Sequence, residues 1–232
     1  MMLFGLIGES FSLEQNLVII IAFILAIMIA LIAHETAHAW MALKQGDPSA
    51  KNAGRLSLNP SHHFEPLGFI CFCIVGIGWA KPVPVNPFNY RNFKRGNFFV
   101  SISGVTVNIF LAFLFSFGLF MLSRNNLFYW DISSGLIYSS QSLFWFGLGF
   151  FFTLTAVINT ALVVFNLLPI PPLDGYNMLV SFTKPNNGFM RVMRENSMII
   201  LLIVIIFGGY YMSTVRDFIL STFENFWRLV LP

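Results

Sequence analysis

Between Asn16 and Leu43 the chain is a single run rich in Ile, Leu and Ala, with no Lys, Arg or Asp; toward its end stand His34, Glu35 and His38. A run of this length exceeds the ~20 residues that a helix needs to cross a bilayer. The rest of the chain agrees. Only 10% of residues are charged and 56% are hydrophobic, whereas a soluble domain carries about 25% charged residues. The 28 Phe and 5 Trp suit lipid-facing and interfacial positions. A net charge of +3 is too small for a nucleic-acid partner. The 232 residues fit one membrane domain, with a core over 16–182 and a C-terminal span and tail over 197–232. They leave no room for a further soluble domain of the usual ~100 residues.

The layout follows from where the apolar runs break. Gly46-Asp47-Pro48 ends the first, and a polar, turn-rich stretch follows to Pro66. Within it Arg55 to Leu58 alternates polar and apolar residues, which predicts a short strand. Leu67 to Ala80 is apolar but short for a span and reads as a re-entrant or interfacial segment. Lys81 to Gly96 is a basic loop rich in Pro and Asn, and Ser123 to Gln141 a loop with little charge. Asn97 to Leu122, Ser142 to Leu168 and Ser197 to Met212 supply three more spans. From Ser213 onward Phe and Trp alternate with charges, as in an amphipathic interfacial helix. The predicted fold class is therefore an all-α polytopic membrane protein: four transmembrane helices, a re-entrant, β-containing segment on the cytoplasmic side, and a C-terminal amphipathic helix.

Positively charged loops stay cytoplasmic. An extracytoplasmic N-terminus with a non-spanning 67–80 segment puts Lys44, Lys51, Arg55, Lys81, Arg91, Lys94, Arg95, Lys184, Arg191 and Arg194 on the cytoplasmic side, leaving only Arg124, Arg216 and Arg228 outside. The first span is expected to stay in the mature chain: no Lys or Arg precedes Lys44 to form a signal-peptide n-region.

His34-Glu35-Thr36-Ala37-His38 has the H-E-x-x-H spacing. On a helix, residues i and i+4 share a face, so both imidazoles can hold one zinc while Glu35 lies beside the water it activates. Zinc brings that water's pKa to about 7, and the carboxylate can take its proton during attack on a peptide carbonyl. Measured from Asn16 at about 1.5 Å per residue, His34 lies about 27 Å along the helix, near the cytoplasmic edge. A catalytic zinc takes three protein ligands. Asp174 is the acid placed to be the third, in Pro-Pro-Leu-Asp-Gly after a span. The prolines stop the helix, and broken backbone at membrane depth is tolerated only where it is buried in protein or lines a cavity. Read alone, the same Asp is a turn former that caps the next short helix. His62 and His63 are either metal ligands of a resting enzyme or polar loop residues, the second reading being favoured, and Cys71 and Cys73 read as small apolar residues.

Taken together these pieces resemble the site-2 protease family of intramembrane zinc metalloproteases. The resemblance is carried by His34-Glu35-Thr36-Ala37-His38, Gly54 to Pro60, Gly78-Trp79-Ala80-Lys81-Pro82-Val83-Pro84-Val85-Asn86-Pro87, Gly104-Val105-Thr106-Val107-Asn108, and Asn166-Leu167-Leu168-Pro169 leading to Pro172-Leu173-Asp174-Gly175. It points to the compact branch without PDZ or CBS domains. It implies one zinc on His34, His38 and Asp174, with Glu35 as general base. It also implies substrate binding by Asn166, which holds the unwound substrate backbone, and by Asn108. The family often has Pro where this chain has Val105.

The expected activity is that of a zinc metalloendopeptidase in the cell membrane, cutting transmembrane segments of other proteins near the cytoplasmic face. The resemblance offers anti-sigma factors or remnant signal peptides as partners, and nothing in the sequence selects between them or fixes an oligomeric state. One rival is a non-catalytic binding or chaperone protein that retains the zinc site, which has no chemical need for Glu35. A zinc transporter is another, but it needs polar residues spread over several spans rather than gathered at one depth.

Overall fold

The structure is a computed structural model that describes residues 11–75, 81–131, 136–139, 142–183 and 188–231. Helix α1 (Leu13–Gln45) opens on Ser12, whose hydroxyl accepts from the N–H of Gln15 while the Gln15 side chain accepts from the N–H of Ser12. This reciprocal pair satisfies two of the helix's orphan donors. The helix closes on Gly46 at φ +110, a left-handed cap that favours glycine. Short helices α2 (Ser49–Asn52) and α3 (Pro66–Val75) follow, then the long α4 (Phe93–Arg124). Strands β1 (Phe128–Asp131) and β2 (Leu136–Ser139) pair antiparallel, Phe128 opposite Ser139 and Trp130 opposite Ile137. The chain continues through α5 (Leu143–Asn166), α6 (Asp174–Val180), α7 (Gly188–Glu195), α8 (Ser197–Phe207) and α9 (Gly209–Val230).

Helices α1, α4 and α5 are long and apolar enough to cross a membrane. Lipid tails are as apolar as leucine, so such helices associate by close packing rather than by the hydrophobic effect. The sequence provides for this: Ala22, Ala26 and Ala30 recur every fourth residue on the buried face of α1. Below them, away from the site, Ile19 and Phe23 of α1 pack with Phe146, Phe150 and Leu154 of α5 and with Phe128 of the hairpin. The hairpin thus caps the bundle at the end where α4 finishes and α5 begins.

Three expectations change. The strand predicted at Arg55–Leu58 does not form. A strand needs a partner, and here side chains take the carbonyls instead: Ser57 O accepts from Thr36 Oγ1 at 2.9 Å and from His63 Nε2 at 2.7 Å, and Gly54 O from His62 Nδ1 at 2.7 Å. The β structure instead lies within the Ser123–Gln141 loop, at the opposite end of the bundle. The fourth span does not run to Met212. It breaks at Gly208-Gly209, where α8 and α9 meet at a 69° bend. At 11 residues, α8 rises only about 16 Å, short of a crossing by itself. Helix α9 is more than an interfacial tail: Trp227 packs against Phe113 and Phe117 of α4 and donates its indole N–H to Ser116 Oγ at 3.0 Å. Helix α3 is described over ten residues, and residues 76–80, the rest of the segment expected not to span, lie outside the described residues. Gly78, Trp79 and Ala80 of the resemblance, and Lys184, lie outside the described residues.

Candidate metal centre

The last turns of α1 carry His34, Glu35 and His38, and three other segments close on them. The first is α4. Its Gly104 faces the two imidazoles so closely that a Cβ there would come within 2.6 Å of His34 Cε1 and 2.7 Å of His38 Nε2. Only glycine lets the α4 backbone lie against both rings. On the same face of α4, one turn on, Asn108 Oδ1 lies 3.0 Å from His34 Nδ1; one turn before it, the carbonyl of Val100 lies 2.7 Å from His38 Nδ1. Each ring donates its Nδ1–H to an oxygen of α4, which leaves both Nε2 lone pairs facing inward, the tautomer that metal-binding histidines adopt.

The second segment is the proline-rich turn after α5. It delivers Asp174, the first residue of α6, to the same point. Asp174 does not cap its own helix: Leu173 is the N-cap residue and no side-chain capping bond forms. Its Oδ2 instead lies 3.2 Å from His34 Nε2 and 3.3 Å from His38 Nε2, and the two Nε2 atoms are 3.0 Å apart. Bonds of about 2.0–2.1 Å from a tetrahedral zinc separate neighbouring ligands by about 3.3 Å, so this triangle has the size of one tetrahedral face. Asp174 Oδ2 has no hydrogen-bond partner, and a cation is what such a buried carboxylate oxygen lacks. Among the described residues these three form the only group of His, Cys, Asp and Glu suited to a metal.

The third segment, Lys81–Asn86, lies against the end of α1. Val83 packs with Ala39 and Ala50, and its N–H donates to Glu35 Oε2 at 3.1 Å. The Lys81 N–H donates to His63 O at 2.9 Å. Pro82 and Pro84 have no N–H to donate. Asp47 anchors it: its carboxylate accepts from Asn86 N at 2.6 Å, Asn89 Nδ2 at 2.8 Å and the Ser49 hydroxyl at 2.6 Å.

The expected site residues divide accordingly. His34, His38 and Asp174 converge, and Glu35 lies beside them. Asn166 ends α5 partly exposed, and its amide makes no hydrogen bond among the described residues. Asn108, expected to bind substrate, is 0% exposed with its oxygen 3.0 Å from His34 Nδ1, where it can orient that ring. His62 and His63 tie down loop carbonyls. Val105, at the position where the family often has Pro, is buried inside an unbroken α4. Sequence reasoning assigned no role to Gly104, Val100, Val83 or Asp47. Gly104 could have been found from the seam it shares with Asn108, four residues on; the contacts of Val100 and Val83 are made by backbone and leave no residue-type signal.

Apolar spans that gather two imidazoles and two carboxylates at one depth define a membrane protein with a candidate metal centre. The particular family is equally clear. Residues 22–208 match Peptidase family M50, and the chain belongs to it. It is 33% identical over 215 residues, covering 90% of this chain and 93% of the relative, to the Bacillus subtilis protein named "Putative zinc metalloprotease YwhC". It is 30% identical to the Rip2 proteins of Mycolicibacterium smegmatis and Mycobacterium tuberculosis, over 68% of this chain and 56% of each. No solved structure matches. The chain is a membrane metalloprotease of the zinc-dependent M50 family.

Proposed function

We propose that the protein is an intramembrane zinc metalloendopeptidase that hydrolyses peptide bonds in transmembrane segments near the cytoplasmic face. The observation that carries the proposal is the triangle of His34 Nε2, His38 Nε2 and Asp174 Oδ2, with edges of 3.0–3.3 Å and Glu35 adjoining. These three residues would hold the zinc, which supplies Lewis acidity, polarising a peptide carbonyl and lowering the pKa of a water. Glu35, its carboxylate oriented by the Val83 N–H, takes the proton of the attacking water and hands it to the leaving amine. Asn166, partly exposed at the broken end of α5, holds the substrate backbone once the substrate helix has unwound. The basic residues of the loops at this end of the bundle, among them Lys44, Lys51, Arg91, Lys94, Arg191 and Arg194, support a cytoplasmic placement and an extracytoplasmic N-terminus. Substrates are single-span proteins such as membrane-anchored anti-sigma factors or remnant signal peptides.

The test uses detergent-purified wild type and Glu35→Gln, assayed for bound zinc and incubated with a panel of single-span proteins. One zinc in each, with cleavage by wild type alone, is the expected result. Equal cleavage by both removes the assigned base. Zinc without cleavage by either favours a binding or chaperone role.

A further inference from the structure

Helix α6 carries the third candidate ligand, Asp174, at its first residue, yet it has only seven residues and is about 10 Å long. So short a helix is marginal by itself, and its pose is set by what holds its two ends. The first end leans on α5. A Cβ on Gly175 would stand 2.3 Å from the carbonyl oxygen of Leu167 and 2.6 Å from that of Leu168, so the end of α5 lies directly against the start of α6.

The other end is tied to α4 by a side chain. Asn97, buried near the start of α4, donates its amide to the carbonyl of Asn177 and to Ser181 Oγ, the latter at 3.0 Å. Ser181, also buried, donates its hydroxyl to the same Asn177 carbonyl at 3.1 Å. A carbonyl can only accept, so these partners fix which way the Asn97 amide faces. Asn177 is one of the last four residues of α6, whose carbonyls find no amide within their own helix. The Ser181 N–H goes to Met178 O instead, and a side chain of another helix serves Asn177.

Matching register links this tie to the metal centre. Asn97 precedes Gly104 by seven residues, and Asp174 precedes Ser181 by seven. Seven residues are two turns, so each pair lies on one stripe of its helix. At one end of the two stripes, Gly104 stands against both imidazoles and Asp174 Oδ2 lies 3.2–3.3 Å from their Nε2 atoms. Two turns away the stripes meet directly, through Asn97. Helix α4 thus reaches all three candidate ligands: Asn108 meets the His34 ring, the Val100 carbonyl meets the His38 ring, and Asn97 holds the helix that presents Asp174.

We infer that Asn97 is a positioning residue for Asp174. By tying the last turn of α6 to α4 it fixes the roll and register of that helix, and with them the place of the carboxylate against His34 and His38. An apolar side chain at 97 would fill the space but set neither, because apolar contact is non-directional. The inference rests on the zinc reading of the site.

The test uses the full chain in detergent, with Asn97→Leu, Asn97→Asp, Asn97→Gln and Ser181→Ala. Two measurements are made: zinc affinity by chelator competition, and the visible spectrum of the cobalt(II)-substituted protein, which reports ligand geometry. Asn97→Leu and Asn97→Asp keep the size of the side chain and lose its donors. Each should weaken zinc binding about tenfold and change the cobalt bands, in line with other outer-shell partners. Asn97→Gln keeps the NH2 and should recover part of the loss, and Ser181→Ala should fall between wild type and Asn97→Leu. In an Asp174→Ala background, Asn97→Leu should add no loss to the residual binding by the two imidazoles. Phe98→Leu thins the ring contact with Phe182 between the same two segments, 5.2 Å between centroids; it should lower thermal stability and leave zinc affinity unchanged. Wild-type zinc affinity in both Asn97→Leu and Asn97→Asp overturns the inference. So does an equal further loss in the Asp174→Ala background, or a loss of zinc in Phe98→Leu that matches the one in Asn97→Leu. Should Asn97→Leu not fold, Asn97→Asp and Ser181→Ala carry the same comparison. Undiminished zinc binding after Asp174→Ala alone removes the zinc reading itself, an outcome separate from all of these.

Discussion

His38 Nδ1 lies 2.7 Å from the carbonyl oxygen of Val100, so the ring's second nitrogen, Nε2, is left as a lone pair 3.3 Å from Asp174 Oδ2. A backbone atom of α4 thereby sets the tautomer of a residue on α1, and the proline turn after α5 supplies the carboxylate that completes the group. Asp174→Ala should therefore abolish tight zinc binding, a larger effect than the about 10–100-fold loss typical of an outer-shell partner. Metal content after dialysis against a chelator measures it. Full zinc retention would mean that the convergence of the three side chains is not a metal site.

Gly104 makes a second prediction. Its missing Cβ is the space that His34 Cε1 and His38 Nε2 occupy, at 2.6–2.7 Å from where it would stand. Gly104→Ala must push α4 away or turn both rings from their rotamers. Overpacking of this kind costs about 1–3 kcal/mol, and here the displaced groups are the ligands themselves. Zinc affinity should fall roughly tenfold or more, comparable with loss of an outer-shell partner. Thermal unfolding in detergent, read beside chelator competition, separates the two effects.

Asp47 predicts acid sensitivity of the loop that faces Glu35. Burial alone raises a carboxyl pKa, but the N–H of Asn86, the Ser49 hydroxyl, the Asn89 amide and the Ser49 N–H outweigh it and hold Asp47 below its ordinary value of 3.8. A carboxylate depressed in the folded state stabilises the fold fully above its unfolded pKa, and the contribution fades as pH falls through the folded one. Wild type should therefore lose stability progressively below about pH 4. Asp47→Ala should cost about 1–3 kcal/mol at neutral pH, because four part-buried donors lose their acceptor. The gap in melting temperature between the two should narrow as the pH is lowered below 4. A gap unchanged by acid would show that the charge of Asp47 contributes nothing.

What was legible in the chain was what repeats with helical period or interrupts it. His34 and His38 share a face because they are four apart, and Asp174 stood out because prolines break a membrane helix just before it. The three longest spans follow from apolar length alone. Features made by backbone or by pairing were not legible. Arg55–Leu58 alternates like a strand, but no strand pairs with it among the described residues, and His63 and Thr36 both take the Ser57 carbonyl. The hairpin had a signal that went unused: Phe128-Tyr129-Trp130 and Leu136-Ile137-Tyr138 flank Ser133-Ser134-Gly135, a pattern of two strands and a turn. Gly208-Gly209 was equally visible as a helix breaker. The contact of Asn108 with the His34 ring could not be read, because an asparagine on an apolar helix looks the same whether it meets a substrate or a ligand's ring.

The contact between Val83 N–H and Glu35 Oε2 at 3.1 Å separates positioning of the base from binding of the metal. Val83→Pro removes the donor, whereas Val83→Ala keeps it and removes only side-chain packing against Ala39 and Ala50. If the N–H holds the carboxylate where it can accept a proton, the Pro variant should lose cleavage rate by about ten- to a hundredfold, within the range of general-base contributions. The Ala variant should stay near wild type at a modest cost in stability. Both should retain full zinc, because neither change touches His34, His38 or Asp174. Single-turnover cleavage measured beside zinc stoichiometry decides it. Equal rates for Pro and Ala would make the contact one of loop packing, and zinc loss in the Pro variant alone would mean that the segment supports the metal group rather than the base.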